Sequence, residues 1–351
     1  MDIWLQDVSK SFDKVSALQG LELHVRSGEL LGLLGPSGCG KTTALFSICG
    51  LHRIDAGRIL FGERDVTHLP PQARNVGLVF QSYALYPHLT SYENIAFPLR
   101  VRRMKKDVVD ERVCRIAEIL QIETLLERRP EQLSGGQQQR VAVARALVRD
   151  PDVLLMDEPL ANLDARLRLE MRSELRRIQR DTGTTTLLVT HDQSEAMSMC
   201  DRIALMNGGR LEQVGSPEEI YRQPANQFVA GFVGTPTIVF CEGRAKSGRF
   251  VSGSLDLPVS ADLKTRIHDG AKIIAGIRAE IVQPHLSVPV QGTIAFVEPV
   301  GRESHYGILL GDGTTLRSVQ TGAPRFHSGE TISWGLDPKG LLFFAHDGTR
   351  L

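Results

Sequence analysis

The sequence predicts an α/β domain built on a parallel sheet, followed by a small all-β domain. Three observations carry this expectation. Apolar runs without polar alternation (Leu30–Leu34, Val76–Phe80, Val153–Met156, Thr186–Thr190, Ile203–Met206) are separated by helical segments, the pattern of strands buried on both faces and joined by crossover helices. The segment GPSGCGKTT (Gly35–Thr43) follows the first of these runs and opens a helix. From about Thr237 the chain changes to short β-like runs broken by Gly, Pro and Asp, a texture that suits a small barrel.

Taken in order, Leu21, Leu23 and Val25 alternate with Glu22, His24 and Arg26, so the first 30 residues predict antiparallel strands. Residues from about 90 to 150 read as a helical insertion between core strands, with Val109, Val113, Ile116 and Leu120 on one helical face. Ser216-Pro217-Glu218-Glu219 is a helix start, with a capping box and a proline in the first turn. The β-like runs beyond it include Lys272–Ile277, Val290–Val297, His305–Leu310, Thr331–Leu336 and Leu341–Ala345. The expected domains are 1–235 and 237–351.

At 351 residues the chain is long enough for two cores. Lys plus Arg and Asp plus Glu balance at 41 each, which argues against a protein that coats nucleic acid. The five cysteines form no CxxC pair, so neither a disulfide framework nor a zinc site is expected, and a reduced compartment such as the cytoplasm fits. MDIWLQDVSK lacks the apolar core of a signal peptide. No apolar stretch approaches the roughly 20 residues needed to cross a bilayer, so a role at a membrane requires another chain to supply the span.

The chemistry starts at Gly35-Pro36-Ser37-Gly38-Cys39-Gly40-Lys41-Thr42, followed by Thr43. Glycines let backbone N–H groups turn inward around phosphate oxygens, at the positive end of a helix. Lys41 is placed to reach β- and γ-phosphates and the Thr42 hydroxyl to bind Mg²⁺, with ATP as the nucleotide. Cys39 contributes its backbone rather than its thiol. Asp157, at the end of Val153–Met156, is placed for the Mg²⁺ shell, and Glu158 for orienting and polarising an attacking water. Gln81, after Val76–Phe80, can meet both Mg²⁺ and that water, and His191, after Leu187–Thr190, can contact the γ-phosphate.

Leu133-Ser134-Gly135-Gly136-Gln137 is a second candidate anion site, ahead of a helix expected over Gln138–Val148 with Ser134 as its cap. Two such sites serve one nucleotide if the copy on a partner chain closes over the first. The motif order therefore describes an ATPase that works as a pair of chains.

Together GPSGCGKTT, Gln81, LSGGQ, VLLMDE, the loop Ala161-Asn162-Leu163-Asp164 and His191 resemble the nucleotide-binding subunit of an ABC transporter over residues 1 to about 235. The resemblance implies that Phe12 stacks on adenine, that Asp164 communicates between sites across a homodimer interface, and that integral membrane permease subunits are partners. VFQSYALYPHLT (Val79–Thr90), DEPLANLDARLR (Asp157–Arg168) and GSPEEIYRQPANQFVAGFVGTP (Gly215–Pro236) are similar to ATPases of bacterial solute importers, most of all the carbohydrate-uptake group. It further implies an extracytoplasmic solute-binding protein as an indirect partner, a peripheral location on the cytoplasmic face of the inner membrane, and a C-terminal OB-like β-barrel that regulates. Gly276-Ile277-Arg278-Ala279-Glu280 resembles part of that barrel, with Ala279 where the family often has proline. Tyr83, Leu85, Tyr86 and His88 are expected to line a groove for a short helix of the membrane subunit.

Polyamine, sulfate and iron importers use similar ATPases, so the resemblance leaves the solute class open. Soluble ABC ATPases of translation or DNA repair usually carry two ATPase domains or a long coiled coil. This chain has one phosphate loop and no sustained heptads. A guanine-specific N/T-K-x-D motif is missing, which points away from a GTP switch.

Overall fold

The computed structural model describes residues 1–284 and 286–351, and two units separate at Glu218/Glu219. In the first, β1 (Ile3–Phe12) and β2 (Val15–Val25) pair with β4 (Ala56–Phe61) and β5 (Arg64–Asp65) in an antiparallel sheet of order β2-β1-β4-β5. The alternation in β2 sends Leu21, Leu23 and Val25 inward and leaves Glu22 outside.

A second sheet holds β3 (Leu30–Leu34), β6 (Val76–Val79), β7 (Val153–Asp157), β8 (Thr185–Thr190), β9 (Arg202–Asn207) and β10 (Arg210–Gly215), in the order β10-β9-β3-β8-β7-β6. All neighbours are parallel except β9 and β10, which close one edge as a hairpin. β3 and β8 are buried at every position, hence their unbroken apolar or β-branched sequence. Helix α1 (Lys41–Cys49) contributes Leu45 and Ile48 to the core that these sheets share with Ile3, Leu23, Leu31, Leu155 and Val189.

Between β6 and β7 lies the helical insertion: α2 (Ser91–Val101), α3 (Lys106–Ile119) and α4 (Gly135–Leu147). Val109, Val113, Ile116 and Leu120 are all buried, as their spacing requires. α4 starts at Gly135 rather than Gln138, because Ser134 caps it directly and both glycines enter the first turn. α5 (Ala165–Thr182) and α6 (Gln193–Met199) flank β8 in the chain.

α7 (Pro217–Arg222) spans the division, and α8 (Gln227–Phe232) belongs to the second unit. There β11 (Val239–Lys246), β12 (Arg249–Ser252), β13 (Leu255–Pro258), β14 (Lys272–Ile277) and, after α9 (Ala261–Arg266) and further strands, β20 (Leu342–Ala345) form one antiparallel sheet, ordered β13-β12-β11-β14-β20. β15 (Val282–Pro284), β16 (Val288–Val300), β17 (Glu303–Leu309), β18 (Thr315–Thr321) and β19 (Thr331–Leu336) form the other, ordered β15-β19-β16-β17-β18. Phe250, Leu257 and Ile273 of the first meet Ile294, Tyr306, Leu316 and Trp334 of the second in one barrel-like core. Arg278, 4% exposed, donates to the Val233 and Tyr221 carbonyls and lies 3.8 Å over the Tyr221 ring, which binds the α7–α8 segment to this unit.

Candidate functional site

Four neighbouring parallel strands deliver the site. The phosphate loop leaves β3, His191 leaves β8, Asp157 and Glu158 end β7, and Gln81 follows β6, all at carboxyl ends and in contiguous sheet order.

The loop's shape depends on glycine at two points. Gly35 has φ +156, and a Cβ there would sit 2.3 Å from the Met206 carbonyl oxygen. Gly40, at φ +103, precedes α1, and a Cβ would stand 2.4 Å from the Ala17 oxygen. Lys41 opens α1 and is almost wholly enclosed; its Nζ donates to the Gly35 and Pro36 carbonyls, both at 2.9 Å, and lies 3.8 Å from Cys39 Sγ. No side chain caps α1 and no acidic residue stands in its first turn. A cation inside a loop of backbone donors at an uncapped helix start fits a polyphosphate.

The Thr42 hydroxyl donates to Asp157 Oδ1 at 3.2 Å. Burial pushes the Asp157 carboxyl above its ordinary range; the Thr42 bond opposes this and neighbouring Glu158 reinforces it. A hydroxyl and a half-buried carboxylate in contact are hard oxygen donors, the set that suits Mg²⁺. Glu158 has φ +46, a left-handed backbone rare for a side chain with a Cβ, and its N–H donates to the Val189 carbonyl at 2.9 Å. Its Oε1 stands 2.9 Å from His191 Nδ1. Thr42, Asp157, Glu158 and His191 thus form two adjoining contacting pairs.

Gln81 is exposed, and its carbonyl accepts from Asn162 Nδ2 at 2.8 Å. The next turn is unusual: Tyr83 and Ala84 have φ +61 and +48. Arg145, from α4, donates through Nη2 to the Tyr83 carbonyl and through Nη1 to that of Ala84, both at 2.7 Å. Buried Asn94 of α2 secures the following residues, accepting from the Tyr86 N–H at 2.8 Å and donating to the carbonyls of Tyr86, Leu89 and Thr90. Asn162, Arg145 and Asn94 were not singled out from the sequence. Asn162 falls in the Ala161–Asp164 loop, whereas the other two act only through tertiary contacts.

Phe80, Ala84, Tyr86, Phe97, Pro98, Arg145 and Arg149 line a groove of about 410 Å³ here. Tyr86 packs on Phe97 with ring centroids 4.7 Å apart. Of Tyr83, Leu85, Tyr86 and His88, Tyr86 lines this cavity. Tyr83 is turned inward by its left-handed backbone and is 5% exposed, its hydroxyl without a partner among the described residues.

Ser134 Oγ accepts from the Gln137 N–H at 3.4 Å, and Gln137 Oε1 accepts from the Ser134 N–H at 3.0 Å, completing a capping box on α4. Among the described residues no hydrogen bond or ion pair links Leu133–Gln137 to the Gly35–Thr43 loop of the same chain. Asp164 caps α5, accepting from the N–H groups of Arg166 and Leu167. Phe12 is 42% exposed, edge-on to His52 at 5.2 Å, so a core-packing role does not hold it.

Comparison with known proteins gives the family. Residues 18–161 match the family model described as ABC transporter. The chain is 45% identical to the trehalose/maltose import ATP-binding protein of Thermococcus litoralis, covering 97% of this chain and 96% of the relative. It is 43% identical to an sn-glycerol-3-phosphate import ATP-binding protein of Rhizobium johnstonii, covering 99% and 95%. Among solved structures, a dimeric bacterial ABC transporter cassette superposes with a TM-score of 0.55 at 30% identity, covering 61% of this chain and 98% of that one.

Proposed function

The chain belongs to the ATP-binding subunits of ABC importers, and from that membership we propose that it hydrolyses ATP to power uptake of a sugar or sugar derivative through a partner membrane permease. Both relatives named above import carbohydrates or a sugar-alcohol phosphate, and the similarity extends through both units of the chain. The solute itself is selected by the other subunits.

The observation that carries the chemistry is the Glu158–His191 contact beside the Thr42–Asp157 contact at adjacent strand ends. Lys41 and the loop N–H groups of Gly35 to Thr43 hold the β- and γ-phosphates, with Phe12 against adenine. Thr42, Asp157 and Gln81 would hold Mg²⁺, which would neutralise phosphate charge when bound. Glu158 orients the attacking water and accepts its proton, and His191 fixes the carboxylate while contacting the γ-phosphate. Ser134, Gly135, Gly136 and Gln137 serve the partner copy's nucleotide: among the described residues they have no bond to the phosphate loop of their own chain, and they open helix α4 at its positive end. Asp164, at the cap of α5, communicates between those sites across the dimer interface.

Residues 1–235 serve as the ATPase part, although Glu219–Thr235 packs within the second unit, and residues 237–351 serve as a regulatory barrel. Among the described residues no helix is long and apolar enough to cross a membrane, which suits a peripheral subunit at the cytoplasmic face, docked through the Tyr86 groove to a permease that receives solute from an extracytoplasmic binding protein. The direct test is Glu158→Gln in the purified chain. Nucleotide affinity is retained and hydrolysis falls at least about 100-fold; hydrolysis at the wild-type rate refutes the assignment.

A further inference from the structure

Arg145 occupies a position that the roles above leave unused. Its guanidinium is largely buried, and the groups acting on it are the desolvating protein and Tyr86, with no carboxylate among them. Its charge is satisfied by two carbonyls, those of Tyr83 and Ala84, each at 2.7 Å. It also faces the Tyr86 ring, 5.7 Å from the centroid. Those carbonyls belong to consecutive non-glycine residues in the left-handed region, a conformation seldom adopted singly and rarer in succession. The planar fork of a guanidinium can hold two parallel acceptors at once, which an ammonium cannot do with fixed geometry.

The same residue belongs to α4, the helix that Ser134 caps. An α-helix moves as a rod, so a shift imposed near one end is delivered to the other. One end of α4 is tied by Arg145 to the loop that leaves Gln81 and forms the groove wall, and the other carries LSGGQ. We propose that Arg145 is a positioning residue: it enforces the left-handed Tyr83–Ala84 turn and couples the state of the groove and of Gln81 to the placement of Ser134 over the partner copy's nucleotide. The inference rests on the paired-ATPase reading given above.

The coupling predicts a split between binding and turnover. ATP binding to one chain uses Lys41 and its loop, which Arg145 does not touch. Hydrolysis requires Gln81 and the partner's Ser134, both of which it positions. The test measures KM and kcat for ATP, with a thermal transition, on the purified full chain carrying Arg145→Lys, alone and combined with Ala84→Gly. The glycine adopts the left-handed turn without strain, so it replaces enforcement by freedom.

Arg145→Lys is expected to leave KM within about twofold and to lower kcat by about tenfold or more, since a small misplacement of positioned groups is costly to turnover. Adding Ala84→Gly relaxes the turn but leaves its tie to α4 broken, so kcat is expected to stay low. Turnover within about twofold of wild type in Arg145→Lys overturns the inference. So does a joint loss of ATP affinity, turnover and the thermal transition, which describes a residue that only packs α4, or full recovery of kcat in the double variant, which shows that the tie to α4 is not needed. Glu158→Gln in the same assay separates the two readings. If it hydrolyses at the wild-type rate, the catalytic assignment has failed; if it is inactive while Arg145→Lys is unaffected, only the coupling has failed.

Discussion

Replacing Arg74 with methionine tests how the phosphate-loop helix is anchored. Arg74 is 2% exposed and carries its charge against the carboxyl end of α1, where helix carbonyls lack partners. Nη1 donates to the Ser47 and Ile48 carbonyls at 2.7 and 2.8 Å, Nη2 to that of Thr67 at 2.9 Å, and Nε to that of Leu69 at 2.9 Å. The helix closes against it at Gly50, where a Cβ would lie 2.7 Å from Arg74 Nε. Methionine retains much of the apolar stem and removes every donor. The Ser47 oxygen keeps the Gly50 N–H, so the loss is counted on the other three carbonyls. At about 1 kcal/mol each the cost is about 3 kcal/mol. For a unit of this size that lowers the melting temperature by roughly 6–12 °C. Calorimetry on the purified chain, checked by urea denaturation with an unchanged m-value, reads the effect. A shift smaller than about 2 °C refutes the reasoning, because it means water replaces the guanidinium at no cost.

Asp157→Asn removes a half-buried carboxyl whose partial burial raises its pKa. The folded chain therefore binds that proton more tightly than the unfolded chain, and the penalty of ionisation is absent below about pH 3.8 and sets in as pH rises through the higher folded value. The variant should melt higher than wild type at pH 7 and lose that advantage on acidification, while Mg²⁺-dependent hydrolysis is lost; melting curves from pH 7 downward check the sign. Phe12→Ala should raise KM for ATP by about 5- to 100-fold with kcat little changed, the range expected for one lost stacking contact. Steady-state kinetics decide it, and an unchanged KM removes Phe12 from the nucleotide site.

The parallel sheet was legible because strands buried on both faces cannot alternate, so β3, β7, β8 and β9 show as unbroken runs. The site was legible where chemistry is written in contiguous residues: the loop around Lys41, Asp157 beside Glu158, and the cap at Ser134. β10 and β18 escaped notice because their faces are only partly buried and carry polar residues such as Glu212, Gln213, Arg317 and Gln320. β15, at three residues, is too short to show a period. Tyr83 departs from its expected place because an aromatic two residues after Gln81 reads as a surface residue, and nothing local announces the φ that turns it inward. Arg145, Asn94 and Arg74 act on carbonyls brought near by the fold, and a helical or loop position gives no sign of that.

The central claim is that this chain powers import of a sugar-like solute. Cells carrying Glu158→Gln in place of the wild-type chain are grown on a defined panel of sugars, polyols, sugar phosphates, polyamines, sulfate and iron, and depletion of each from the medium is followed. The account predicts that one sugar-like solute stays in the medium of the mutant while the others disappear at the wild-type rate. Retention of a polyamine, sulfate or iron instead contradicts the sugar assignment, and wild-type depletion of every solute on the panel contradicts the import function.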